Sequence, residues 1–163
     1  MVYSMYYLRD NYRSEISAFQ LKQFQALMTK LYQCCQERIK YQSDRFKLPD
    51  AEFRCLLLFG EERYLTATGI VQKMNVVKSR VTKIIDGLVI KELIQRVQDP
   101  EDSRIMLLSL TLKGQEKLNE VNEFLEYVHH EALLQMEPEQ RKTMLTNLDI
   151  LKASLESIKE LMV

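Results

Sequence analysis

The stretch "RVQDPEDSRIMLLSLT", Arg96 to Thr111, limits the possible folds more than any other. Residues 94–98 and 104–110 are rich in Ile, Leu and Val and read as two β-strands. The loop that joins them, Asp99-Pro100-Glu101-Asp102-Ser103 with Arg104 where the chain turns back, is a polar Asp-Pro segment of the kind that closes a hairpin. Elsewhere breakers are scarce. Four glycines and three prolines in 163 residues argue for helices joined by short connections. The expected fold is mainly α with a small β part (α+β), one hairpin set among helices.

Hydrophobic periodicity divides the helical part. Residues 14 to about 46 read as one long helix, with Phe24, Leu27, Leu31, Cys34 and Arg38 at steps of three and four. The residue before Pro49 disfavours helix and ends it. A second helix follows to about Phe59, stopped by Gly60. Thr66 is suited to cap a short helix, "ATGIVQKM". "NVV" makes a turn, and a helix from about Lys78 to Lys91 follows. Val81, Ile84, Ile85 and Leu88 lie on one of its faces, and Lys78, Arg80 and Lys83 lie opposite. After the hairpin, Thr111 caps a helix carrying Leu118, Val121, Leu125, Val128 and Ala132. Pro138 starts a last helix carrying Met144, Leu148, Leu151, Leu155, Ile158 and Met162. Spacings of three and four over such lengths predict a seam shared between two chains. The tyrosines near the start (Tyr3, Tyr6, Tyr7, Tyr12) are expected to pack at that interface.

The net charge is zero, but it is unevenly spread. Between Lys73 and Arg96 six bases face two acids, whereas Glu116 to Val163 holds five bases and ten acids. Each half alone is an ordinary solvated surface. Together they fit a protein with one anion-facing side. The start of the chain lacks the basic-then-apolar pattern of a secretory leader, and no apolar run reaches the length of a membrane span. A cytoplasmic protein with no membrane partner is the expectation.

Enzymatic readings find no support. There is no G-x-G-x-x-G, phosphate-binding loop, H-E-x-x-H or G-x-S-x-G. His129 and His130 are adjacent, so they cannot share one helical face with Glu126 as a ligand set. No catalytic residue, cofactor or metal is expected. Cys34, Cys35 and Cys55 make no C-x-x-C pair and are read as packing residues, with a redox role as the sharper alternative.

A short helix, a tight turn, a helix with a basic outer face and a hairpin together form a winged helix-turn-helix pattern. A hairpin tip that enters a narrow minor groove needs a cation, and Arg104 supplies it. Asp102 stands two residues earlier, where it can pair with Arg104 and fix its direction. Residues 48–118, through "LPDAEFRCLLLF", "LTATGIVQKMNVVKSRVTKIIDGLVIKELIQR" and "DPEDSRIMLLSLTLKG", resemble the MarR family of bacterial winged helix-turn-helix regulators.

The resemblance implies a homodimer that binds double-stranded DNA. The divisions it implies are an N-terminal helical dimerisation segment (1–47), a winged DNA-binding lobe (48–112) and C-terminal dimerisation helices (113–163). Lys78, Ser79, Arg80, Thr82 and Lys83 would face the major groove, with Arg104 in the minor groove and Asp102 as its partner. It further implies a repressor released by a small-molecule effector that enters between the long helices and the lobe. The family's peroxide-sensing branch has its reactive cysteine nearer the start of the first helix, where "SAFQLKQFQ" has none. Two positions depart from the family pattern. Val77 stands where a capping Ser or Thr is usual, and Glu92 where Gly usually ends the recognition helix. The rival expectation is a winged-helix protein-interaction module without DNA binding, which the zero net charge favours.

Overall fold

The computed structural model describes residues 16–160. The first helix, α1 (Ala18–Phe46), begins four residues later than the periodicity suggests. Ser17 sets the boundary. Its hydroxyl accepts from the Gln20 amide while the Gln20 side chain accepts from the Ser17 amide, a reciprocal capping box. The helix ends at Lys47, whose φ of 56° turns the chain into α2 (Asp50–Leu58). The tyrosines near the start of the chain and Met162 lie outside the described residues.

A two-residue strand, β1 (Leu65–Thr66), follows; strand periodicity has no hold on so short a segment. Thr66 then caps α3 (Ala67–Met74), accepting from the Gly69 amide at 3.0 Å. Asn75, at φ 52°, turns the chain toward α4 (Lys78–Ile90). Strands β2 (Ile94–Gln98) and β3 (Met106–Leu110) form the hairpin, with Ile94 opposite Leu110 and Gln98 opposite Met106. β1 pairs with the far side of β3, giving an antiparallel sheet of order β1-β3-β2. β3 starts two residues later than expected, because the Ile105 amide donates to the Asp102 carbonyl and closes the turn. Two long helices complete the chain, α5 (Leu112–Leu134) and α6 (Pro138–Glu160).

The core lies in the winged lobe. Val81, Ile84, Ile85 and Leu88 of α4 are buried, with Leu56 of α2, Ile70 of α3, and Ile94 and Leu108 of the sheet. Leu118 and Val121 of α5 reach into the same core, so α5 is rooted in the lobe and extends out of it. Gly114 makes that root possible. A Cβ there would stand 1.8 Å from the Leu93 carbonyl, so only glycine allows the approach. An aromatic cluster joins the long helices to the lobe: the Phe46 ring lies 5.7 Å from Phe53 and 5.4 Å from Phe124.

The seams leave the lobe uncovered. Between residues 138 and 159 of α6 no residue is buried, and Leu148, Leu155 and Ile158 are each more than 40 % exposed. Phe19, Phe24, Leu27 and Leu31 of α1 are exposed as well.

Cys55 has no accessible surface, whereas Cys34 and Cys35 are exposed. Burial first, and the charge of Glu52 second, push the Cys55 thiol up from 9.0 to about 12. The folded chain therefore holds this proton more tightly than the unfolded chain. The associated stability is complete below pH 9 and is lost as pH rises from 9 toward 12, by about 1.4 kcal/mol per pH unit for one group. Urea unfolding at pH 8 and pH 10 should show this loss, and Cys55→Ala should remove that share of it. An unchanged alkaline slope in Cys55→Ala would contradict the assignment.

Candidate nucleic-acid interface

Lys78, Ser79, Arg80, Thr82 and Lys83 all lie on the exposed side of α4, opposite its four buried residues. The charge pattern around them is sharper than the sequence total suggests. Of the six bases between Lys73 and Arg96, three are paired with carboxylates: Lys73 with Glu62 at 2.7 Å, Lys91 with Glu52 at 2.8 Å, and Arg96 with Asp86. The other three are Lys78, Arg80 and Lys83, which have no carboxylate partner among the described residues. The local positive charge is therefore concentrated on the outer face of α4. The Thr82 hydroxyl donates to the Lys78 carbonyl at 3.2 Å, which leaves its oxygen free to accept.

Both departures from the family pattern have visible consequences. Val77 provides no side-chain cap, as its chemistry requires, yet α4 still begins at Lys78, with the Arg80 and Val81 amides donating to the Val77 carbonyl. The amides of Lys78 and Ser79 gain no capping acceptor from it. At the other end Glu92 takes the left-handed conformation, at φ 61°. Its amide donates to the Val89 carbonyl, and the Leu93 amide donates to the Leu88 carbonyl, the double bond of a Schellman turn. A non-glycine residue in this conformation costs on the order of 1 kcal/mol. Local contacts offset that cost. The Glu92 carbonyl accepts from the Thr111 hydroxyl at 2.6 Å, and Lys113 pairs with its carboxylate at 2.9 Å, holding that carboxyl below its ordinary range.

In the wing, Arg104 is exposed at the turn. Its link to Asp102 differs from the expected ion pair: the carboxylate accepts from the backbone amide of Arg104, at 2.9 Å, and no ion pair joins the two side chains. Asp102 thus shapes the loop, and the guanidinium has no carboxylate partner among the described residues. Such capture of an amide two residues on is a habit of aspartate that competes with charge pairing.

Three further residues take part that the sequence reading passed over. The Asp99 carboxylate accepts from the Glu101 and Asp102 amides at 2.8 and 3.1 Å, and Gln98 donates to the Ser103 carbonyl at 3.1 Å. The Asp-Pro start of the loop was a usable sign of the first. Asp86, through its pair with Arg96, ties the base of the wing to α4; no sequence spacing marks that contact.

Among the described residues no group of three or more His, Cys, Asp and Glu side chains is placed to hold a metal ion. None of the described helices is long and apolar enough to cross a membrane.

Comparison with known proteins agrees with this geometry. Residues 48–106 match the family model described as the MarR family. The chain is 29% identical over 99 residues to YpoP of Bacillus subtilis (strain 168), described as an uncharacterized HTH-type transcriptional regulator; the match spans 61% of this chain and 70% of that protein. Among solved structures, the YusO protein from Bacillus subtilis is 27% identical, with a TM-score of 0.65 over 86% of this chain and 99% of its own. Streptococcus pneumoniae FabT, solved in complex with DNA, has a TM-score of 0.74 at 20% identity, over 83% of this chain and 99% of its own. The matched lobe contains the whole helix-turn-helix and most of the wing, and the fold extends the likeness to the long helices: residues 48–106 match the MarR family, and the chain as a whole has the fold of these solved structures.

Proposed function

We propose that the chain is a transcriptional regulator that acts as a homodimer on a palindromic DNA operator. The observation that carries this reading is the division of charge between Lys73 and Arg96: of the six bases there, the three without a carboxylate partner among the described residues are the three on the outer face of α4. In this reading Lys78 and Lys83 contact phosphates, and the uncapped amides at the start of α4 donate to a phosphate oxygen. Arg80 reads a base edge, with Ser79 and Thr82 as shorter polar contacts. Arg104, without a carboxylate partner among the described residues and held by the Asp99 and Asp102 turns, enters the flanking minor groove. The DNA complex of FabT supports this assignment by similarity of fold.

Dimerisation is the second half of the proposal. A 23-residue helix such as α6 draws most of its stability from burying an apolar face, and the described residues of its own chain cover none of that face completely. A second copy supplies the cover. Repression, and release by a small-molecule effector entering between the long helices and the lobe, are carried by the family resemblance.

Two-fold symmetry would place the two α4 helices in successive major grooves, about 34–36 Å apart. Selection of bound fragments from random DNA should therefore return an imperfect palindrome with half-sites about 10 base pairs centre to centre. A preferred site without dyad symmetry, or with half-sites on opposite faces of the duplex, would overturn the dimeric reading.

A further inference from the structure

Glu52, in the first turn of α2, is buried inside the winged lobe, with only 8 % of its surface exposed. A carboxylate so placed loses its hydration and needs compensation. Lys91, at the end of α4, gives part of it: its ammonium stands 2.8 Å from Oε2. The contact is an ion pair without a hydrogen bond, and Oε2 has no hydrogen-bond donor among the described residues. The second unfavourable feature lies opposite. Gly87 sits inside α4, where glycine costs roughly 1 kcal/mol against alanine. Its lack of a side chain is used: a Cβ there would fall 2.2 Å from Oε1 of Glu52. Two locally unfavourable choices, a buried acid and a glycine in mid-helix, thus meet at one contact. Such violations are expected where function requires them.

Lys83, Gly87 and Lys91 follow one another at steps of four, so this contact lies on the flank that carries Lys83. It joins α2, part of the lobe's scaffold, to the helix assigned to the major groove. A buried ion pair contributes geometric definition more readily than stability. We infer that Glu52, laid across Gly87 and bridged to Lys91, is a positioning residue that fixes the tilt of α4, so that preference for the operator depends on it more than general attraction to DNA does. This rests on the DNA-binding reading above.

The test uses the full chain, the operator selected from random DNA and a shuffled duplex of the same composition. Glu52→Gln, Lys91→Met and the double variant are titrated by fluorescence anisotropy at two salt concentrations, below the melting temperature of each. Each single change should lower operator affinity about tenfold, as expected for coupled neighbours, and leave shuffled DNA unaffected. The double variant should lose no more than the worse single, because the bridge acts as one unit. Lys91 is partly exposed and Lys91→Met opens no cavity in the core, so Lys91→Met carries the test if Glu52→Gln fails to fold. Operator preference kept within twofold, or losses that add in the double variant, would overturn the inference. So would Lys91→Met weakening both DNAs equally with a shallower salt dependence, because Lys91 would then be a phosphate contact. In these cases a parent protein that still prefers its operator keeps the DNA-binding reading intact. A parent with no preference removes both.

Discussion

Leu151→Asp combined with Leu155→Asp is expected to convert the protein to monomers or to insoluble material. Leu151 is half-buried in the single chain and Leu155 is 42 % exposed, so neither change damages the core of the winged lobe. Both residues belong to the apolar stripe through Met144, Leu148 and Ile158, none of which the described residues bury. An ionised carboxylate buried there without a partner costs several kcal/mol. A symmetric interface doubles every change, so four charges would enter one seam. Sedimentation at micromolar concentration reads the result. A dimer unchanged in mass would show that α6 is not the shared surface, and the exposed face of α1 would become the candidate.

The periodicity that exposes this seam in the sequence cannot say what covers it. Steps of three and four mark Leu118 and Val121 in the same way as Leu148 and Leu155. Yet the first two are buried by their own lobe and the last two face outward. The lobe itself was more legible, because its limits are set by local chemistry. Thr66 and Thr111 accept from the amides three residues on, at the two helix starts their sequence contexts predict. The four apolar residues chosen for the buried face of α4 are the four that are buried. Glu92 has the left-handed backbone expected where the family has glycine.

What stayed illegible depends on contacts between distant segments. β1 exists only because Leu65 pairs with Leu108, 43 positions away. Glu52 reads as a favourable acid in the first turn of a helix, and nothing local reveals that it lies against Gly87. The sequence places Asp102 beside Arg104, but the carboxylate takes that residue's backbone amide and not its guanidinium. At a separation of two residues the backbone amide is nearer than the guanidinium.

Arg80→Ala and Arg104→Ala should separate the two kinds of DNA contact. Arg80, exposed on the outer face of α4, is assigned to a base edge, most readily guanine. Its loss should weaken operator binding by on the order of 1–3 kcal/mol and relax preference at one position in each half-site. Arg104→Ala should weaken binding through the A·T-rich flanks and leave preference at the central bases unchanged. Asp102→Ala should give a smaller version of the Arg104 effect, because its carboxylate orders the loop through the Arg104 amide. The circular dichroism of all three variants should match that of the parent, since all three side chains are exposed.

Fluorescence anisotropy of the parent, Arg80→Ala and Arg104→Ala, on operator and on shuffled DNA at two salt concentrations, tests the assignment of α4 and the wing most directly. The expected result is a loss of operator affinity in both variants, with a change of base preference in Arg80→Ala alone. Both variants binding operator as tightly as the parent would contradict it: α4 and the wing would not be the DNA surface, and a winged-helix module that binds protein would replace the regulator as the better reading.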